Sequence, residues 1–172
     1  MNLLDYLPGV PDFPKPGVLF RDISPLLANP TAFKEAIRQL DELAKQFNYT
    51  HIVGIESRGF IFGSALAHHA HKGFALARKP NKLPLASHRE SYGLEYGIDA
   101  LEIQESTLPK DAKVLLLDDV LATGGTLIAA DKLMRSAGFE VCGAITLLEI
   151  TFLNGNQLLS KNNISHQSVL KS

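Results

Sequence analysis

The chain is poor in the features that would send it outside a reducing compartment or onto a charged polymer. Cys142 is its single cysteine, so no intramolecular disulfide is possible and a cytoplasmic setting is expected. Basic charge is not in excess either. Seventeen Lys and Arg stand against 18 Asp and Glu, a formal charge of -1, which leaves no basic surplus for non-specific nucleic-acid or membrane-surface binding. No apolar run approaches the roughly 20 residues of a membrane span. The opening MNLLDYLPGV carries Asp5 but no Lys or Arg ahead of its apolar residues, so no export signal is expected. Neither a Gly-Lys-Ser/Thr phosphate loop at Walker spacing nor a Gly-x-Gly-x-x-Gly fingerprint occurs, which removes the main support for ATPase and dinucleotide-binding readings. Internal repeats and low-complexity segments are absent too.

What is there fits one globular domain over residues 1–172, with 45% hydrophobic and 20% charged residues. Six prolines between Pro8 and Pro30 predict an extended, irregular N-terminal arm over residues 1–30. From Thr31 to Phe47 apolar residues recur at helical spacing, with Asn29 and Pro30 suited to the N-cap and first helical position. HIVGIE (51–56) predicts a strand that enters Ser57-Arg58-Gly59, and FIFGSALAHHA a helix packed on it. FALARK (74–79), KVLLLDD (113–119) and EVCGAITLLEI (140–150) predict further strands, and TLIAADKLMRSAG a helix stopped by Gly138. Such alternation predicts an α/β fold, a mainly parallel twisted sheet flanked by helices. Between residues 80 and 97 the pattern dissolves into a polar stretch that reads as a flexible, functional loop.

The densest chemistry lies in VLLLDDVLATGGT (114–126). In a parallel sheet ligands bind at the carboxyl ends of strands, where Asp118 and Asp119 fall if Val114 to Leu117 is the strand. Paired carboxylates there accept hydrogen bonds from vicinal sugar hydroxyls. The following Ala122, Thr123, Gly124, Gly125 and Thr126 feed a helix N-terminus, whose N–H groups and positive dipole end attract phosphate. Sugar and phosphate would lie side by side.

This run resembles the phosphoribosyl pyrophosphate signature of the type I phosphoribosyltransferases. FPKPGVLFRDISPLL (13–27), SRGFIFG (57–63), RKPNKLP (78–84) and YGLEYGIDALEIQ (92–104) are similar, in the same order, to the adenine-specific branch of that family. The resemblance spans about Asp12 to Ile150, and the tail from Thr151 matches loosely. It implies Mg²⁺-dependent transfer of a 5-phosphoribosyl group from phosphoribosyl pyrophosphate to adenine, giving AMP and pyrophosphate in purine salvage, by a homodimer. Mg²⁺ would be held mainly by substrate oxygens. The arm would fold over adenine as a hood, with Leu19 and Phe20 against the ring and Arg21 as its buttress. Arg58, Arg78 and Lys82 would take the pyrophosphate, the last two from within the chain or across a dimer interface. Glu95 would accept or orient the purine proton, and Tyr96 would close over the site. Asn81 departs from the family's usual Gly.

A regulator that binds phosphoribosyl pyrophosphate without turnover is the competing reading. The proline-rich opening does not supply the helix-turn-helix module such a protein would use on DNA. A change of base to hypoxanthine, guanine, xanthine or orotate is the other alternative, and VLFRDIS and GLEYG oppose it by resemblance. His68, His69 and His71 lack nearby carboxylate or thiolate companions in metal-site spacing, so they read as helix-surface residues. Cys142 reads as a small core residue, and Glu149 as a strand terminus near the phosphate site.

Overall fold

A computed structural model describes residues 1–94, 97–104 and 106–172. Elements in chain order begin with a two-stranded antiparallel hairpin, β1 (Gly9–Pro11) and β2 (Leu19–Arg21), followed by the helices α1 (Ser24–Ala28) and α2 (Pro30–Ala44). Next come β3 (His51–Ile55), α3 (Arg58–Ala70), β4 (Gly73–Ala77), the antiparallel pair β5 (Ala86–Leu94) and β6 (Gly97–Gln104), and β7 (Lys113–Leu121). The chain finishes with α4 (Gly125–Ser136), β8 (Glu140–Glu149), α5 (Gly155–Lys161) and β9 (His166–Lys171).

The main sheet runs β4-β3-β7-β8-β9, every neighbouring pair parallel. Its strands are apolar because helices cover both faces: Val114 to Leu117 of β7 are fully buried. One face packs Val114 and Leu116 with Leu127, Leu133 and Met134 of α4, and with Leu101 and Ile103 of β6. The other packs Leu115 and Leu117 with Ala36 and Leu40 of α2 and Phe62 and Leu66 of α3. The parallel α/β expectation therefore holds.

Local rules explain most boundaries. Asn29 caps α2, its Oδ1 accepting from the N–H groups of Thr31 at 3.1 Å and Ala32 at 3.0 Å. Gly138 stops α4 in the left-handed region at φ 91°. Three expectations need correction. The arm is not wholly irregular, since Pro25 begins the short α1 and residues 9–21 form a hairpin. β7 runs past residue 119, where the expected strand 113–119 stops, and pairs with β8 as far as Leu121 opposite Glu149, so Asp118 and Asp119 lie within the strand and not at its end. The stretch 80–97 contains β5, whose sequence hides its period because its half-buried residues, His88, Glu90 and Tyr92, are not aliphatic. The tail supplies a fifth sheet strand, β9.

Candidate active site

Three strand ends and two helix N-termini meet at one cleft. β3 ends at Ile55, and Glu56-Ser57 leads directly into α3, whose first residue is Arg58. Gly59 makes this close approach possible: a Cβ there would lie 2.8 Å from the Leu117 carbonyl oxygen and 3.1 Å from Asp118 Oδ1. The result sets Arg58 Nε 2.8 Å from Asp119 Oδ2. That contact is out of hydrogen-bond alignment, so Arg58 Nη1 and Asp119 Oδ2 are buried without a hydrogen-bond partner among the described residues. Unsatisfied buried polar atoms of this kind are what a polar ligand completes.

Asp118 and Asp119 share a site with limited water. Burial first, then the Asp119 charge, pushes the Asp118 carboxyl well above the usual carboxylate range. Burial also raises Asp119, opposed by the Arg58 guanidinium. Asp118 Oδ1 accepts from the Asp119 N–H at 2.9 Å. The pair thus resists holding two full charges until a cation or hydroxyl donors arrive.

Beyond them the chain turns at Gly124, with φ 94° and ψ -8°, into α4. No side chain among the described residues caps that helix, so its first N–H groups face a cavity of about 70 Å³ lined by Asp118, Ala122, Thr123, Gly124 and Thr126 among others. Gly125 is the first helical residue. Gly155 of α5 closes the back of this cradle, since a Cβ on it would lie 2.2 Å from the Ala122 carbonyl oxygen.

The hood lies opposite. Phe20 stacks edge to face on Phe13 at 5.1 Å and receives the Arg58 guanidinium over its ring at 4.8 Å. Arg21 Nη1 donates to the Leu7 carbonyl at 3.2 Å and ties the hairpin to the body. Leu19 remains 49% exposed, an apolar surface offered to the cleft.

The cleft has a volume of about 620 Å³ and is lined by Leu19, Phe20, Arg21, Arg58, Asp118, Asp119, Ala122 and Thr126, all expected from sequence. Thr123 and Gly124 adjoin it in the cradle. Arg78 and Lys82 are not on its lining. They turn to Glu56, whose Oε2 accepts from Arg78 Nε at 3.3 Å and from the Lys79 N–H at 2.7 Å, while its Oε1 accepts from Lys82 Nζ. Burial opposes the charge of Glu56, but these donors outweigh it and hold its carboxyl below the ordinary value. Asn81 sits at φ 65° and its N–H donates to Glu102 Oε2 at 3.2 Å. Asparagine tolerates this left-handed backbone, a conformation that glycine also adopts freely. Glu95 and Tyr96 lie outside the described residues.

Sequence reasoning overlooked Glu56, Lys79, Tyr92 and Asp99, which also line the cleft. Lys79 pairs with Asp99 at 2.8 Å, and the Tyr92 hydroxyl donates to Asp99 at 3.3 Å. Glu56 was findable by the same strand-end rule that singled out Asp118. Glu149 does not line the cleft; it lies 3.7 Å from Lys171 Nζ on β9. Cys142 donates from Sγ to the Asn48 carbonyl at 3.1 Å. The hard carboxylate oxygens of Asp118 and Asp119, one of them without a hydrogen bond, suit a site that receives Mg²⁺ with its substrate. Among the described residues no helix is long and apolar enough to cross a membrane.

Comparison with known proteins agrees with this geometry. A family model described as phosphoribosyl transferase domain matches residues 22–163. An adenine phosphoribosyltransferase of Polynucleobacter necessarius is 87% identical over 172 residues, covering 100% of both chains. One from Thermosipho melanesiensis is 48% identical over 164 residues, 95% of this chain and 94% of that protein. Among solved structures, the adenine phosphoribosyltransferase of Thermoanaerobacter pseudethanolicus superposes with a TM-score of 0.94 at 38% identity, covering 99% of this chain and 100% of the other. The enzyme of Giardia lamblia complexed with 9-deazaadenine gives 0.92 at 35% identity, with 100% and 98% covered.

Proposed function

The chain belongs to the adenine phosphoribosyltransferases, within the phosphoribosyl transferase domain family, and we propose from that premise how its cleft makes AMP. Nitrogen N9 of adenine bonds to C1 of the ribose, the bond from C1 to the pyrophosphate oxygen breaks, and the N9 proton leaves. Asp118 and Asp119 accept the ribose hydroxyls and fix the ring as positive charge develops at C1. Their carboxylates, pressed toward neutrality by burial, regain charge against that cationic sugar. The N–H groups of Thr123 to Thr126 hold the 5-phosphate at the start of α4.

Arg58 grips the leaving pyrophosphate through its guanidinium fork, and Lys82 and Arg78 join it. Asp118 and Asp119 would be the carboxylates to receive Mg²⁺ arriving on substrate oxygens, and the ion would supply further neutralisation of pyrophosphate. Adenine enters between the hood side chains Leu19 and Phe20, with Arg21 keeping the hairpin seated. Glu95 takes or orients the N9 proton, and Tyr96 and the 80–97 segment close over the reacting atoms. The enzyme works as a cytoplasmic homodimer, a reading supported by the family resemblance and by a lone cysteine suited to reducing conditions.

One observation carries this reading: the paired carboxylates of β7, Asp118 and Asp119, adjoin the uncapped N-terminus of α4, with Arg58 2.8 Å across from Asp119. The test is a base screen. Purified protein with Mg²⁺ and phosphoribosyl pyrophosphate is offered adenine, hypoxanthine, guanine, xanthine or orotate in turn, and nucleotides are separated chromatographically. AMP from adenine is expected far faster than any other product. Tight phosphoribosyl pyrophosphate binding without turnover of any base would instead identify a regulator.

A further inference from the structure

Apart from Arg21, which is tied to the Leu7 carbonyl, the cations at the rim of the cleft are each matched to a carboxylate among the described residues. Arg58 faces Asp119, Lys79 faces Asp99, and Arg78 and Lys82 both face Glu56. An incoming pyrophosphate therefore competes with protein acids for its cations. The four pairs differ in how easily they open. Lys82 is 47% exposed on a long unbranched chain, whereas the Glu56 side chain is 5% exposed and retains the Lys79 N–H and Arg78 as donors if Lys82 departs. Moving Lys82 takes the donor from Glu56 Oε1 but leaves Oε2 held by Arg78 and the Lys79 N–H, so the carboxylate keeps partners and the cost of the exchange is reduced. Glu56 also stands one residue before Ser57-Arg58 and lines the cleft, so Lys82 is held beside the place where it is needed.

The geometry points to Glu56 as a resident counter-anion that occupies Lys82 until pyrophosphate displaces it, and so sets the affinity of the cleft for the pyrophosphate end of its substrate and product. This rests on the phosphoribosyl pyrophosphate reading of the cleft. Glu56 is a positioning residue here, acting through Lys82 and not on the reacting atoms. Its carboxylate keeps the cation inside the site while preventing the pyrophosphate product from being held too long.

The experiment titrates inorganic pyrophosphate with Mg²⁺ into wild type, Glu56→Gln, Lys82→Met and the double variant. Glutamine keeps an acceptor for the Lys79 N–H. Glu56→Gln is expected to bind pyrophosphate roughly three- to tenfold more tightly, the scale of a partly exposed ion pair. That gain should vanish when Lys82 is Met. In turnover the same variant should lower KM for phosphoribosyl pyrophosphate and lower kcat through slower product release, with KM for adenine unmoved. A general structural role for Glu56 predicts weaker binding in the variant. Equal or weaker pyrophosphate binding by Glu56→Gln, or a gain that persists without Lys82, overturns the inference alone. Absence of pyrophosphate binding by wild type overturns it together with the site reading.

Discussion

Gly155 stands so close to Ala122 that a Cβ on it would fall 2.2 Å from the Ala122 carbonyl oxygen and 2.9 Å from Leu121 Cδ1. The N-terminus of α5 is thereby pressed on the outer wall of the phosphate cradle. Gly124 meets the same contact from within, its missing Cβ 3.1 Å from the Gly155 carbonyl oxygen. Two glycines therefore let a tail helix brace the turn between β7 and α4.

Gly155→Ala forces backbone apart, because the obstructing atom is a carbonyl oxygen and not the end of a flexible side chain. We expect a loss of about 1–3 kcal/mol in chemical denaturation, the usual cost of overpacking. KM for phosphoribosyl pyrophosphate should rise while KM for adenine holds, since the hood is remote from α5. Equal effects on both KM values would mean that the brace does not act through the cradle.

Gly125→Val tests the cradle without that strain. A Cβ at Gly125 meets nothing nearer than Thr123 Oγ1 at 4.0 Å, so the fold should persist with a melting temperature near that of wild type. The isopropyl group instead obstructs the approach of phosphate to the first N–H groups of α4. Losing about two charge-assisted hydrogen bonds weakens phosphoribosyl pyrophosphate binding by about 3 kcal/mol, or roughly a hundredfold. Isothermal titration would show it, and unchanged affinity would place the phosphate elsewhere.

Asp119→Asn separates stability from function. Burial raises the Asp119 carboxyl despite the Arg58 guanidinium, so its charge is costly in the empty cleft. This sign means that the stability Asp119 contributes is present at low pH and is lost as pH rises through its folded-state value. The amide removes the charge, so denaturation at pH 7 should show no loss of stability or a gain. Turnover should fall, with kcat/KM lower by about two orders of magnitude, as when one preorganised electrostatic group is removed. A destabilised, fully active variant would contradict both halves.

Apolar pattern made the central sheet legible in sequence, because fully buried parallel strands such as Val114 to Leu117 can be built only from aliphatic runs. The acids after that run were legible for the same reason, since a charge ending a buried strand must face a polar cleft. Polar elements were not. β5 presents His88, Glu90 and Tyr92 as its half-buried residues, so no apolar alternation betrays it. β9 carries His166 and Ser168 beside Thr146 of β8, satisfied by hydrogen bonds that only tertiary pairing supplies. Arg78 and Lys82 read as pyrophosphate ligands only through the family resemblance. Their contact with Glu56 was not legible, because Glu56 lies more than 20 residues earlier and becomes adjacent only through the pairing of β3 with β4.

His166 makes the protein acid-sensitive by a separate route. It is 8% exposed on β9, with Nε2 3.0 Å from Thr146 Oγ1 and Nδ1 without a hydrogen-bond partner among the described residues. Burial first, and then the Lys171 charge, lowers its pKa from 6.5 to about 4. In the unfolded chain it protonates near pH 6.5, while the folded chain resists until about pH 4. The unfolded state therefore binds the proton first as pH falls, and stability declines across that window. The difference amounts to about 3 kcal/mol once pH is below both values. Denaturant midpoints of wild type and His166→Gln from pH 7 to pH 4 isolate the effect, because Asp118 and Asp119 change stability in the opposite direction and are common to both. Wild type should lose about 3 kcal/mol more than the variant over this range. Parallel pH profiles would show that His166 is protonated in the fold, and that Thr146 does not hold it neutral.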